Sequence, residues 1–169
     1  DLQKFVERVE RETNQKPSII AHSMGGLITR YMMSSYSEHV NKVVYVGTPF
    51  QPGLSFLGDY QEGSTTGLNK KIQDPEALFS APALLALLPH SNQQNFEKEN
   101  LKDIQTWKKH QIGLFKDNKI DEIFFNNNLQ KIKEFEEVID RQQPLSDKHL
   151  FVIGNCQDTW FSQLDEQKE

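Results

Sequence analysis

The chain has 169 residues, 36% of them hydrophobic and 25% charged, which suits one domain-sized core and excludes both two full domains and an intrinsically disordered chain. Its net charge of −5 comes from 24 acidic and 19 basic side chains interspersed along the sequence, so no basic face is indicated and nucleic acid is excluded as an electrostatic partner. The single cysteine, Cys156, excludes an intrachain disulfide or multi-thiolate metal site, and the longest apolar stretch, Ala77 to Leu88, is broken by Ser80 and Pro82, well short of the roughly 20 residues that span a bilayer.

Leu2, Phe5, Val6 and Val9 recur at helical spacing among Lys4, Glu7, Arg8, Glu10 and Arg11. This predicts a solvent-facing amphipathic helix that ends before Pro17. The chain opens inside that helix with neither an initiator methionine nor a signal-peptide pattern, as expected where upstream sequence has been removed. Ser18, Ile19, Ile20, Ala21 and His22 form a short apolar, β-branched run that predicts a buried strand, stopped by the pair Gly25-Gly26. From Gly26, the residues Leu27, Ile28, Tyr31 and Met32 predict a second helix up to Ser34-Ser35. Lys42, Val43, Val44, Tyr45 and Val46 predict another strand, closed by Gly47 and Pro49. Residues 18 to 46 thus read as a strand, helix, strand unit with a right-handed crossover, which implies a parallel sheet.

Residues 48–147 do not continue the alternation. They carry a glycine-punctuated segment (Gly53, Gly58, Gly63, Gly67), a proline-bounded apolar segment (Pro82 to Pro89), and polar helical stretches over Asn100 to Lys109 and Leu129 to Asp140. In the last of these, Leu129, Ile132, Phe135 and Ile139 line one face. The whole reads as an inserted, mainly helical cap, and Asn92 to Asn95 and Asn126 to Asn128 read as solvated loops. Leu150 to Ile153, closed by Gly154 and Asn155, predict a third core strand. The expected fold class is α/β: an incomplete parallel-sheet core from residues 1–47 and 148–169, carrying a cap over residues 48–147. Three strands are too few for a parallel sheet covered on both faces, which implies truncation at both ends.

The chemistry sits in Ile19-Ile20-Ala21-His22-Ser23-Met24-Gly25-Gly26. A serine at the turn from a strand to a helix is the setting of the nucleophile elbow, G-x-S-x-G. Such a turn drives the serine toward unfavourable backbone angles and asks for small residues two before and two after it, which Ala21 and Gly25 satisfy. It would expose the Ser23 hydroxyl at the carboxyl edge of the sheet and aim the Met24 backbone N–H at an incoming carbonyl oxygen, half of an oxyanion hole. A serine before a glycine pair also serves as a helix N-cap; the order strand, turn, helix favours the nucleophile. His22 precedes Ser23 but, because adjacent strand side chains point to opposite faces, it reads as a packing residue rather than the base. Asp147 and His149 read as a solvated strand entry. Trp107 and Trp160 read either as lipid-facing anchors or as buried aromatics, and Phe79 to Leu88 either as an acyl-binding wall or lid or as cap core.

Four segments together resemble the lecithin:cholesterol acyltransferase family: Ala21-His22-Ser23-Met24-Gly25-Gly26, Val46-Gly47-Thr48-Pro49-Phe50, Gly63 to Asn69, and Ser80-Ala81-Pro82 leading to Leu87-Leu88-Pro89. That family is similar to lysosomal phospholipases and other lipid acyltransferases of the α/β-hydrolase fold, and the resemblance covers about Asp1 to Pro89. It implies a Ser, Asp, His triad in that chain order, with a second oxyanion donor from a loop after an earlier strand. The histidines are His22, His39, His90, His110 and His149, none of them beyond the third strand. Asp158 follows that strand and is the candidate acid. Its other reading is a loop carboxylate in an Asx or capping role, because the family's Gly-Asp-Gly-Thr type acid segment is not found here.

The resemblance further implies attack by Ser23 on a lipid ester, an acyl-serine intermediate, and release to water or to an alcohol acceptor at a membrane or lipoprotein surface. The residues themselves carry no trace of a cofactor or metal site. Secreted, lysosomal or vacuolar, and membrane-associated settings all fit it. Lacking a complete triad, the isolated chain is expected to show essentially no turnover. A plain carboxylesterase or triacylglycerol lipase, and a non-catalytic module that binds lipid or a partner through its cap, are the alternatives the residues leave open.

Overall fold

A computed structural model describes residues 1–66, 69–90, 99–141 and 147–154. The described residues form two compact units, one of Asp1–Phe50 with the stretch from Glu137 onward, the other of Gln51–Glu136.

In the first unit, helix α1 (Leu2–Thr13) stops where Asn14 turns left-handed at φ 54, so the helix ends on an αL cap before Pro17 is reached. Strand β1 (Ile19–His22) leads into α2 (Met24–Tyr36), and α2 returns to strand β2 (Val43–Val46). β1 and β2 pair in parallel, Ile19 opposite Val43 and His22 opposite Val46. The strand His149–Val152, β5 in chain order, adds to β2 in parallel, Val43 opposite His149 and Val46 opposite Val152. The sheet order is therefore β1-β2-β5.

Side-chain alternation along these strands has one consequence for packing. Ala21, Val43 and Tyr45 are buried with Val6 of α1 and Met32 and Met33 of α2, so both helices serve one face of the sheet. Each of the buried valines and methionines contributes roughly 1.5 to 3 kcal/mol. On the opposite face Ile20 is 78% exposed, and Leu150 and Val152 are exposed as well. The expectation of a fully buried β1 is corrected accordingly: the strand is apolar on both faces, but only one is covered among the described residues.

The second unit contains α3 (Ser55–Glu62), an antiparallel pair β3 (Ser64–Thr66) and β4 (Asn69–Gln73), the short helix α4 (Pro75–Phe79), a 3-10 segment (Pro82–Leu87) and α5 (Ile104–Lys109). Helix α6 (Glu122–Asp140) begins here. Gly58 lies within α3, which buries Leu57 and Tyr60, and Gly63 ends that helix at φ 74. Asp103 accepts a hydrogen bond from the Gln105 N–H at 2.9 Å and so starts α5 later than Asn100. α6 begins at Glu122 rather than Leu129 and buries Phe125, Leu129, Ile132 and Ile139. Asn128, expected in a solvated loop, is buried in that helix; Asn92 to Asn95 lie outside the described residues.

Aromatic rings fill this unit's core. Tyr60 and Phe79 meet edge to face at 5.1 Å between centroids, and Trp107 and Phe125 at 4.9 Å. Trp107 is fully buried and its indole N–H donates to the Leu101 carbonyl at 2.8 Å, so it is a core residue and not a lipid-facing anchor. Trp160 lies outside the described residues. Phe79, Leu85 and Leu88 are likewise buried, which places the apolar segment in the core. Lys102, wholly buried, donates to the carbonyls of Leu85 and Leu88 at 2.9 and 3.2 Å and pairs with Glu136 Oε1 at 2.8 Å.

Candidate active site

Because the three strands run parallel and in register, their carboxyl ends at His22, Val46 and Val152 share one edge of the sheet. Ser23 stands at that edge, between the last residue of β1 and the first of α2. Its backbone sits at φ 53, ψ −132, the mirror image of extended backbone, where glycine is at ease and an L-residue with a side chain is not. Two hydrogen bonds hold it there. The Ser23 N–H donates to the Val46 carbonyl at 3.0 Å, and the Ser23 carbonyl accepts from the Gly26 N–H at 2.9 Å.

An N-cap serine turns its hydroxyl back to accept from the N2 or N3 amide, but Ser23 makes no such side-chain bond. The strain is thus not repaid by capping. The residue is half-buried at the sheet edge. Met24 is the first residue of α2, so its N–H is among those a helix leaves without an internal acceptor and stands at the positive end of the helix dipole.

The remaining expectations fare unevenly. A side chain at Gly25 would meet nothing within 4 Å among the described residues, so the need for smallness lies one residue on, at Gly26. His22, expected to pack, is exposed. His149 is not a solvated strand entry: it is half-buried, its ring stacks with Tyr45, and its Nδ1 lies 3.2 Å from the Tyr45 hydroxyl. Burial first, then the charges of Arg30 and Lys148, hold its imidazole below the ordinary range. Arg30, buried on α2, donates to the same Tyr45 hydroxyl, whose own pKa burial raises. Sequence reasoning missed this cluster because its members are far apart in the chain; the one available signal was a charged residue on the apolar face of α2. Asp147 is exposed. Asp158 lies outside the described residues. Among the described residues, no three His, Cys, Asp or Glu side chains gather to hold a metal ion, and no helix is long and apolar enough to cross a membrane.

Residues 1–165 match the family described as Lecithin:cholesterol acyltransferase. The chain belongs to the lecithin:cholesterol acyltransferase family. Within curated sequences it is similar to the uncharacterized protein YJR098C of Saccharomyces cerevisiae, 33% identical over 88 residues. That similarity covers 51% of this chain and 13% of the yeast protein, so the chain spans a small part of that relative's length. Among solved structures it is similar to a chain of the Tle4-Tli4 complex, with a TM-score of 0.52 at 14% identity over 80% of this chain and 37% of that one. At that identity the likeness is one of fold. Family membership therefore rests on the match along the chain, and the β1–α2 junction lies inside it.

Proposed function

We propose that this chain carries the nucleophile segment of a serine-dependent lipid acyl hydrolase or O-acyltransferase of the α/β-hydrolase fold. The observation that carries the reading is Ser23 at φ 53, ψ −132 on a strand-to-helix junction, with its hydroxyl free of a capping bond. Backbone strain of this kind persists where the surrounding structure holds a group in place for chemistry. The family match supports a lipid substrate for this acyl chemistry.

In this mechanism Ser23 Oγ attacks the carbonyl carbon of a lipid ester and gives up its proton to a general base. The developing oxyanion is met by the Met24 N–H, and the tetrahedral intermediate collapses to an acyl-serine with departure of the alcohol. Water then releases a fatty acid, or a second lipid alcohol takes the acyl group. The base and its carboxylate partner come from outside the described residues, and Asp158 is the acid candidate within this sequence. The substrate is a lipid ester met at a membrane or lipoprotein surface.

The test is labelling of the full-length protein by a fluorophosphonate, followed by peptide mapping. Modification at Ser23, lost in Ser23→Ala, is expected. An active preparation that labels elsewhere, or not at all, overturns the reading. A panel of phospholipid, triacylglycerol and short-chain esters separates a lipid acyltransferase from a triacylglycerol lipase or carboxylesterase.

A further inference from the structure

At the elbow, a Cβ built on Gly26 would lie 1.9 Å from the Thr48 hydroxyl oxygen, 2.5 Å from its Cγ2 and 2.7 Å from its Cβ. No side chain tolerates such distances, so α2 and the residue after Gly47 meet through the bare α-carbon of Gly26. A Cβ stands about 1.5 Å from its Cα, so the Gly26 Cα is no more than about 3.4 Å from Thr48 Oγ1, near enough for a Cα–H···O contact. That oxygen is buried and has no conventional hydrogen-bond partner among the described residues. Gly47, at φ 54, makes the turn that brings Thr48 to this point, and its N–H is anchored to the Val152 carbonyl at 3.0 Å. The Gly26 N–H in turn bonds the Ser23 carbonyl.

We infer that Thr48 is a positioning residue for Ser23: seated against Gly26, it sets how closely the first turn of α2 approaches the end of β2, and so where the Ser23 hydroxyl stands. The inference rests on the proposed role of Ser23. Gly26 and Thr48 lie on adjacent elements, whereas Gly25, the glycine of the elbow pattern, faces open space. The contact therefore belongs to the second glycine, and its partner lies in the Val46-Gly47-Thr48-Pro49-Phe50 segment.

The experiment measures fluorophosphonate labelling rates at Ser23 in the full-length protein, together with hydrogen exchange at the Ser23 and Gly26 amides. Gly26→Ala is expected to slow labelling by about 10²-fold, the cost of a displacement near 1 Å at a reacting group, and to speed exchange at both amides. Trimming Thr48 in that background should restore both readouts in steps ordered by the atoms removed, Thr48→Ala partly and Thr48→Gly further. Should Gly26→Ala fail to fold, recovery of folded protein on adding Thr48→Gly supports the contact. Wild-type labelling and exchange by Gly26→Ala, or no recovery on trimming Thr48, overturns it. If the wild-type protein does not label, the role of Ser23 falls and the positioning role with it. Amide exchange in the same variants still reports whether Thr48 seats the helix.

Discussion

The Ser23 N–H donates to the Val46 carbonyl at 3.0 Å, tying the residue between β1 and α2 to the end of the neighbouring strand. The bond continues the parallel ladder by one position, just as the backbone swings to positive φ. Strain and tether act on the same residue. Replacing Ser23 with glycine or alanine therefore separates strain from chemistry: both remove the nucleophile, but only glycine relaxes φ 53. Ser23→Gly is expected to be more stable than Ser23→Ala by about 1 kcal/mol, with neither labelling at position 23. Equal stability in urea denaturation would show that the junction is not strained.

His149 links stability to pH. Its folded-state pKa lies below the ordinary value near 6.5 because the ring is partly buried and faces Arg30 and Lys148. Above pH 6.5 both folded and unfolded states hold it neutral, and its full contribution is present. As the pH falls from 6.5 toward the depressed value, the unfolded chain takes up the proton first and stability declines. His149→Phe keeps an aromatic ring beside Tyr45 and removes the titration. The difference in unfolding free energy between wild type and variant should shrink as pH falls through that window, and a pH-independent difference would contradict the assignment.

Lys102 and Glu136 form a buried pair whose separation should be costly. Glu136→Gln leaves the ammonium in the core with two carbonyl acceptors and no counter-charge. Removing one member of such a pair costs about 3 to 5 kcal/mol. Burial lowers the Lys102 pKa while Glu136 opposes that shift, so the variant should recover stability as the pH is raised and the lysine loses its proton. Chemical denaturation at two pH values checks both statements. A cost under about 1 kcal/mol would mean that water reaches the site.

Trp107 anchors the second unit by its ring and by its N–H. Trp107→Ala should cost about 3 to 5 kcal/mol from the cavity alone. Trp107→Phe should cost less, with the Leu101 carbonyl losing its 2.8 Å donor. Both are read from denaturation midpoints at constant slope. An alanine variant as stable as wild type would move Trp107 out of the core.

The strand, helix, strand unit and the serine at its first junction were legible in the amino-acid order, because apolar periodicity and glycine placement are local properties. The same periodicity found the buried face of α6. What periodicity could not supply was which face of β1 is covered: Ile20 and Ala21 are both apolar, and only the packing of α1 and α2 on one side buries Ala21 and leaves Ile20 out. Glycine spacing alone assigned no element to the stretch before Gly63, since glycine is tolerated inside a helix such as α3 that buries Leu57 and Tyr60. The contact of Gly26 with Thr48, the grouping of Arg30, Tyr45 and His149, and the pairing of Lys102 with Glu136 were decided by tertiary structure alone. Each joins residues well separated in sequence, and no local rule constrains which distant side chain a folded chain brings within 4 Å.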